Sequence, residues 1–93
     1  MDIPTITAQV SPILKQYGIK KAALFGSYVH GDASSKSDID ILVDSPKGKS
    51  LFDFIGLQLQ LEAVMKKKVD LVTFTGLKSR IRDAVLKDQV RIL

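Results

Sequence analysis

The sequence predicts a small α/β layer fold, with helices packed on a sheet, and three observations carry that expectation. Apolar residues recur at helical spacing in three stretches, short apolar runs between them read as strands, and the two kinds alternate along the chain. At 93 residues and 45% hydrophobic, the chain is expected to form one domain, residues 1–93, around a single core. A chain of this size can present one site on one face, so a missing wall is expected to come from a partner.

Ile6, Val10, Ile13, Leu14 and Tyr17 mark the first helix, which Gly18 ends in the left-handed position. Its start falls either near Thr5, with a kink at Pro12, or at Ser11, because Ser-Pro makes a good cap and first-turn pair. KKAALF (Lys20–Phe25), closed by Gly26, reads as a buried strand. GDASSKS (Gly31–Ser37) is small and polar, hence a loop. DIDILV (Asp38–Val43) is the second strand, followed by a loop, DSPKGKS (Asp44–Ser50). Ser50 can cap a long helix from Leu51 to about Lys66. Its apolar residues cover more than one face, so it is either mostly buried or also an interface. VDLVTF (Val69–Phe74) is a third strand, Leu77–Asp88 a helix, and QVRIL (Gln89–Leu93) adds a short terminal strand.

Composition narrows the function. There is no cysteine, which excludes disulfides and thiolate chemistry and fits a reducing compartment. The opening MDIPTITAQV lacks the basic-then-apolar pattern of a signal peptide, and no apolar run approaches the roughly 18 residues that span a bilayer. A cytoplasmic location with no membrane contact is expected. The formal charge of +4 is mild and interleaved with acids, and the six aromatics offer little to stack on bases. Strong nucleic-acid binding is therefore not expected. The run Lys66–Lys68 sits where a helix should end, where cations suit the helix dipole.

Two acids inside an apolar strand are the feature that needs explaining. Aspartate is a poor strand former, and burying an unpaired carboxylate is costly. Asp38 and Asp40 share one strand face while Ile39, Ile41 and Val43 point to the other, towards the core. Two such residues are roughly 6.6 Å apart at the backbone, so their carboxylates can converge on hard cations held about 3.5–4 Å apart. Asp70 is also embedded in a strand, with Val69 and Leu71 turned to the opposite face. If the third strand neighbours the second, three carboxylates meet at one patch. Like charges there raise each other's pKa, and a divalent ion removes the conflict. Mg²⁺ suits such a site because it takes oxygen ligands and keeps substrate phosphates in its shell. Asp44 shares the parity of Asp40 but lies about 13 Å beyond it, so it reads as a turn residue.

Gly26–Ser27 follows the first strand directly. A turn there can aim backbone N–H groups at an anion, with the serine hydroxyl as another donor, and glycine lets a phosphate approach closely. GSYVHGDA has the two glycines of a phosphate loop, but Asp32–Ala33 stands where Lys-Ser/Thr is required. DASSKSDID lacks the central glycine and terminal glutamate of a calcium loop. Taken singly, a Gly-Ser turn or a solvated Asp-x-Asp pair is ordinary. Together, with a third strand aspartate downstream, they point to a metal–phosphate site.

These residues resemble the minimal nucleotidyltransferases of the DNA polymerase beta superfamily. That family's signature is Gly-Ser, ten residues, then Asp-x-Asp, with a third acid on a later strand; Gly26–Ser27, Tyr28–Ser37, Asp38–Ile39–Asp40 and Asp70 match it without a gap. The resemblance covers nearly the whole chain. It implies a nucleotidyltransferase-like fold (α/β or α+β, with a small mixed β-sheet) and metal-dependent transfer of a nucleoside monophosphate to a hydroxyl, releasing pyrophosphate. On that likeness Asp38, Asp40 and Asp70 are the metal-binding and catalytic residues, holding two Mg²⁺, with Asp70 also helping to deprotonate the hydroxyl. Gly26, Ser27 and His30 are the phosphate-binding residues, and ATP is the substrate. Stand-alone members this short resemble the antitoxin half of toxin–antitoxin pairs, which transfer AMP to a tyrosine of a HEPN-type toxin. The partner is then that toxin, in a hetero-oligomer with this chain. One departure stands inside the motif: the family commonly reads Gly-Ser-x-Ala-Arg-Gly, and Val29 and His30 replace Ala-Arg. Arginine grips phosphate bidentately and stays charged, whereas histidine is mostly neutral at pH 7. Two readings follow: an adenylyltransferase acting on a partner protein, or a catalytically weak domain that neutralises a toxin by stoichiometric binding.

Overall fold

The computed structural model describes residues 2–26, 38–44, 48–74, 87 and 89–93. Helix α1 (Ile3–Gln16) begins at Asp2, whose carboxylate accepts the Thr5 N–H at 2.9 Å. Pro4 lies in the first turn, where its missing N–H costs nothing. The helix therefore starts two residues before Thr5, close to the first of the two expected points, and Pro12 lies inside it rather than behind a Ser11 cap. An acid cap followed by a first-turn proline is the stronger start signal. At the other end Ile19 N–H donates to the Leu14 carbonyl and Gly18 N–H to that of Lys15, both at 3.0 Å. With Gly18 at φ +79°, this is the paired closure that a left-handed residue after a helix makes possible.

Strands β1 (Ala22–Phe25), β2 (Ile39–Val43), β3 (Val69–Thr73) and β4 (Val90–Arg91) form one sheet in the order β3-β2-β1-β4 among the described residues. β1 pairs antiparallel with both β2 and β4, while β2 and β3 run parallel, so the sheet is mixed, as expected. A parallel neighbour requires a crossover, and helix α2 (Leu51–Met65) supplies it. Ser50 caps α2 as expected: its Oγ accepts the Asp53 N–H at 3.3 Å, and Asp53 accepts the Ser50 N–H at 2.9 Å. The helix Leu77–Asp88 expected from the sequence lies outside the described residues apart from Lys87, which is helical.

Both helices bury one stripe against the same sheet face. Ile6, Val10 and Leu14 of α1 and Leu57, Leu61 and Met65 of α2 meet Leu24, Ile39, Ile41, Val43 and Val69 in one core. That burial fixes which face of β2 and β3 is apolar, and therefore where the aspartates must point. α2 is not wholly buried: Leu51, Phe52, Ile55, Leu59 and Val64 are exposed, Phe52 at 86%. No helix among the described residues is long and apolar enough to cross a membrane.

Candidate active site

The register of three strands builds the site. Asp40 stands opposite Asp70 across the parallel β2–β3 pair and opposite Phe25 across the antiparallel β1–β2 pair. Asp38 precedes β2 on the same face, because Ile39 between them is fully buried in the core. The three aspartates thus occupy one patch, at the end where β2 and β3 start and β1 finishes. Asp38 and Asp70 are exposed, while Asp40 is half-buried between them. On the same face, one pair further along, Leu42 and its partner Ala23 are buried, so Asp40 has an apolar neighbourhood on one side. Its carboxyl is pushed up to about 6 from an ordinary 3.8, by burial first, then by the charges of Asp70 and Asp38.

Gly26 closes β1 at φ +77°. A Cβ there would overlap Oδ2 of Asp40 and approach its Cγ to 3.2 Å. The backbone angle favours glycine, and any side chain here would also push the Asp40 carboxylate from its place. From sequence this glycine is expected to admit phosphate; the geometry adds that it leaves room for Asp40. Ser27 and His30, expected to join it, lie outside the described residues, as does the loop Gly31–Ser37. Asp44 sits exposed at the far end of β2, its N–H donating to the Lys21 carbonyl at 2.9 Å, in keeping with a turn residue.

Among the described residues, no three acid or histidine side chains already enclose a common point. The aspartates share a patch by backbone register, without their side chains being drawn into a cage. The chemistry of the donors still fits a hard divalent cation: the described acids at the patch offer carboxylate oxygens, and a cation would offset both the burial and the mutual repulsion that raise the Asp40 carboxyl.

One residue of this neighbourhood escaped the sequence reading. Glu62 accepts the N–H of Val69, the residue before Asp70, at 3.0 Å. The available signal was a carboxylate in the last turn of a helix, where the dipole disfavours negative charge.

Residues 8–92 match the family described as nucleotidyltransferase domain. The protein adenylyltransferase MntA of Thermococcus cleftensis is 41% identical over 87 residues, 94% of this chain and 88% of that one. MJ0435 of Methanocaldococcus jannaschii is 40% identical over 93 residues, the full length of both. A solved structure described as a minimal nucleotidyltransferase superposes with a TM-score of 0.82 at 33% identity, covering 97% of this chain and 95% of that one. The same fold recurs in a complex described as a tri-AMPylated Shewanella oneidensis HEPN toxin with MNT antitoxin (TM-score 0.75, 20% identity, 97% and 71% covered).

Proposed function

The chain belongs to the nucleotidyltransferase domain family, and on that premise we propose that it transfers AMP from ATP to a tyrosine hydroxyl of a HEPN-type toxin, acting as its antitoxin. The observation that carries the reading is the register of Asp40 with Asp70, with Gly26 closing β1 against Asp40. The name of the Thermococcus cleftensis relative and the AMPylated toxin in the Shewanella oneidensis complex support the choice of reaction and partner.

Each residue then has a task. Asp38 and Asp40 would hold Mg²⁺, with Asp70 sharing it. Bound there, such ions would neutralise the carboxylates and supply positive charge to the phosphate oxygens as the bond to the α-phosphorus is exchanged. Gly26 and Ser27 bind phosphate oxygens, and His30 stands in for the family's arginine with a weaker grip. Asp70, exposed on β3, accepts the proton of the acceptor hydroxyl as its oxygen attacks the α-phosphorus. The bond to the β-phosphate oxygen breaks and pyrophosphate leaves. Because Asp38 and Asp70 face solvent, a flexible segment of the partner can reach them, and in-line attack needs its oxygen within about 3–3.5 Å of phosphorus.

The exposed apolar residues of α2 supply a surface the toxin can cover, whether or not chemistry follows, and so support the alternative of stoichiometric neutralisation too. ATP labelled at the α-phosphate separates the readings. Incubated with Mg²⁺ and a cognate HEPN toxin, label should pass to the toxin, and ATP labelled at the γ-phosphate should leave none there. Neutralisation without label on the toxin would support binding alone.

A further inference from the structure

Between α2 and β3 the chain makes a short strap whose two ends are both tied to Glu62. The Glu62 carbonyl accepts the N–H of Lys66, the left-handed residue that ends the helix, at 2.8 Å. Its carboxylate reaches past the lysines to the N–H of Val69 at 3.0 Å. On the other side of the strap, the Lys68 carbonyl accepts the Ile39 N–H at 2.9 Å and opens the β2–β3 ladder. In a parallel ladder, alternate residues of a strand bond to the same neighbour. With Lys68 bonded to β2, the Val69 N–H faces away from it, towards the outer side of β3, which is the edge strand among those described. Glu62 binds there. It does so from a helix end whose dipole disfavours an acid, so the hydrogen bond accounts for a residue that local preference does not.

We propose that Glu62 is a positioning residue for the transfer reaction: by clamping the Val69 N–H it fixes the height of β3 against β2, and so holds Asp70 level with Asp40. It touches neither substrate nor metal. The inference rests on the role given to Asp70 above. If Asp70 prepares the acceptor hydroxyl while other groups hold ATP, a loosened β3 start should slow the chemical step and leave nucleotide binding intact.

Three variants of the full chain test this. Glu62→Ala removes the acceptor, Glu62→Gln keeps one without the charge, and Glu62→Asp keeps the charge but is one methylene too short. In the alanine variant, Val69 amide exchange should quicken by about tenfold or more while the amides of Leu24 and Ile41 keep their rates. The Asp70 amide resonance should move in the same variant and stay in place in Glu62→Gln. With a toxin substrate, kcat should fall by about tenfold or more with the KM for ATP unchanged, and Glu62→Gln should restore it. Should the alanine variant not fold, Glu62→Asp carries the same expectations.

A quickened Val69 amide with the Asp70 resonance and kcat unmoved would reduce Glu62 to a seal on a strand edge. So would loss of kcat in proportion to the folded fraction, or failure of glutamine to restore it. If the wild type transfers no AMP at all, the reaction assigned to the chain fails. The exchange and resonance measurements would then still decide whether Glu62 sets the place of Asp70.

Discussion

Asp40 and Asp70 stand directly opposite each other on adjacent parallel strands, and among the described residues no basic residue is their cross-strand partner. The fold pays for this arrangement. Asp40 is half-buried, and each charge on the patch makes the next harder to bear. A divalent cation bound among these carboxylates would relieve that repulsion.

The first consequence is a pH dependence of stability. The Asp40 carboxyl is raised to about 6 from 3.8, so the folded chain holds this proton more tightly than the unfolded chain does. For this group, stability is greatest below the ordinary value, declines as pH rises towards 6, and stays low above. Asparagine has no such proton to lose. In chelator-treated buffer at about pH 7.5, Asp40→Asn should be more stable than wild type by about 1 kcal/mol, a figure reduced for solvent screening of a half-exposed group. The difference should close by about pH 4. Urea unfolding at both pH values measures it, and an equal difference at both would remove the charge explanation.

Mg²⁺ with ATP should raise the melting temperature of the wild type, because a ligand that binds only the folded state stabilises it. The double variant Asp38→Asn, Asp40→Asn should fold normally and show no such rise. A double variant that responds as the wild type does would place the nucleotide site elsewhere.

Gly26→Ala puts a Cβ against Oδ2 of Asp40 and a left-handed angle on alanine. The backbone part should cost about 1–2 kcal/mol. The carboxylate can swing aside, so the larger loss should be in transfer activity, which is predicted to fall by about a hundredfold. Thermal melting and single-turnover transfer separate the two effects. Unchanged activity would mean that the observed position of Asp40 is not the working one.

The exposed apolar stripe of α2 gives a prediction about the partner. Phe52→Ser and Leu59→Ser alter exposed side chains, so folding should be little affected. Toxin binding should weaken by about tenfold or more for each, as truncation of a buried anchor does at an interface. Calorimetric titration with the toxin checks this, and undiminished affinity for both variants would move the docking surface off α2.

How much of this was legible in the sequence depends on the range of the interaction. The Ser50 cap, the Gly18 stop and the alternation that turns Ile39 and Ile41 inward while Asp38 and Asp40 turn outward are local, and the sequence reading anticipated each. The start of α1 was local too. Of the two starts the sequence left open, the one near Thr5 with Pro12 inside the helix is close to that observed, and the Ser11 cap is not used. What could not be read was adjacency. Periodicity and spacing do not pair β3 with β2 rather than with β4. Only the family resemblance, by grouping Asp70 with Asp38 and Asp40, implied it, and the levels of Asp40 and Asp70 follow from the observed pairing. The contacts of Gly26 with Asp40 and of Glu62 with Val69 are long-range in the same sense, so neither has a motif to announce it.

The central claim is that these aspartates perform AMP transfer to a protein rather than line a surface that merely binds one. Intact-mass measurement of a HEPN toxin after incubation with Mg²⁺, ATP and a trace of this chain tests it most directly. With wild type, the toxin should gain the mass of one or more AMP groups, and its toxicity should fall although it far outnumbers the antitoxin. With Asp70→Asn, ATP should still bind but no mass should be added. A toxin neutralised only at equal stoichiometry, with its mass unchanged and Asp70→Asn protecting equally well, would contradict the account and leave a binding module in its place.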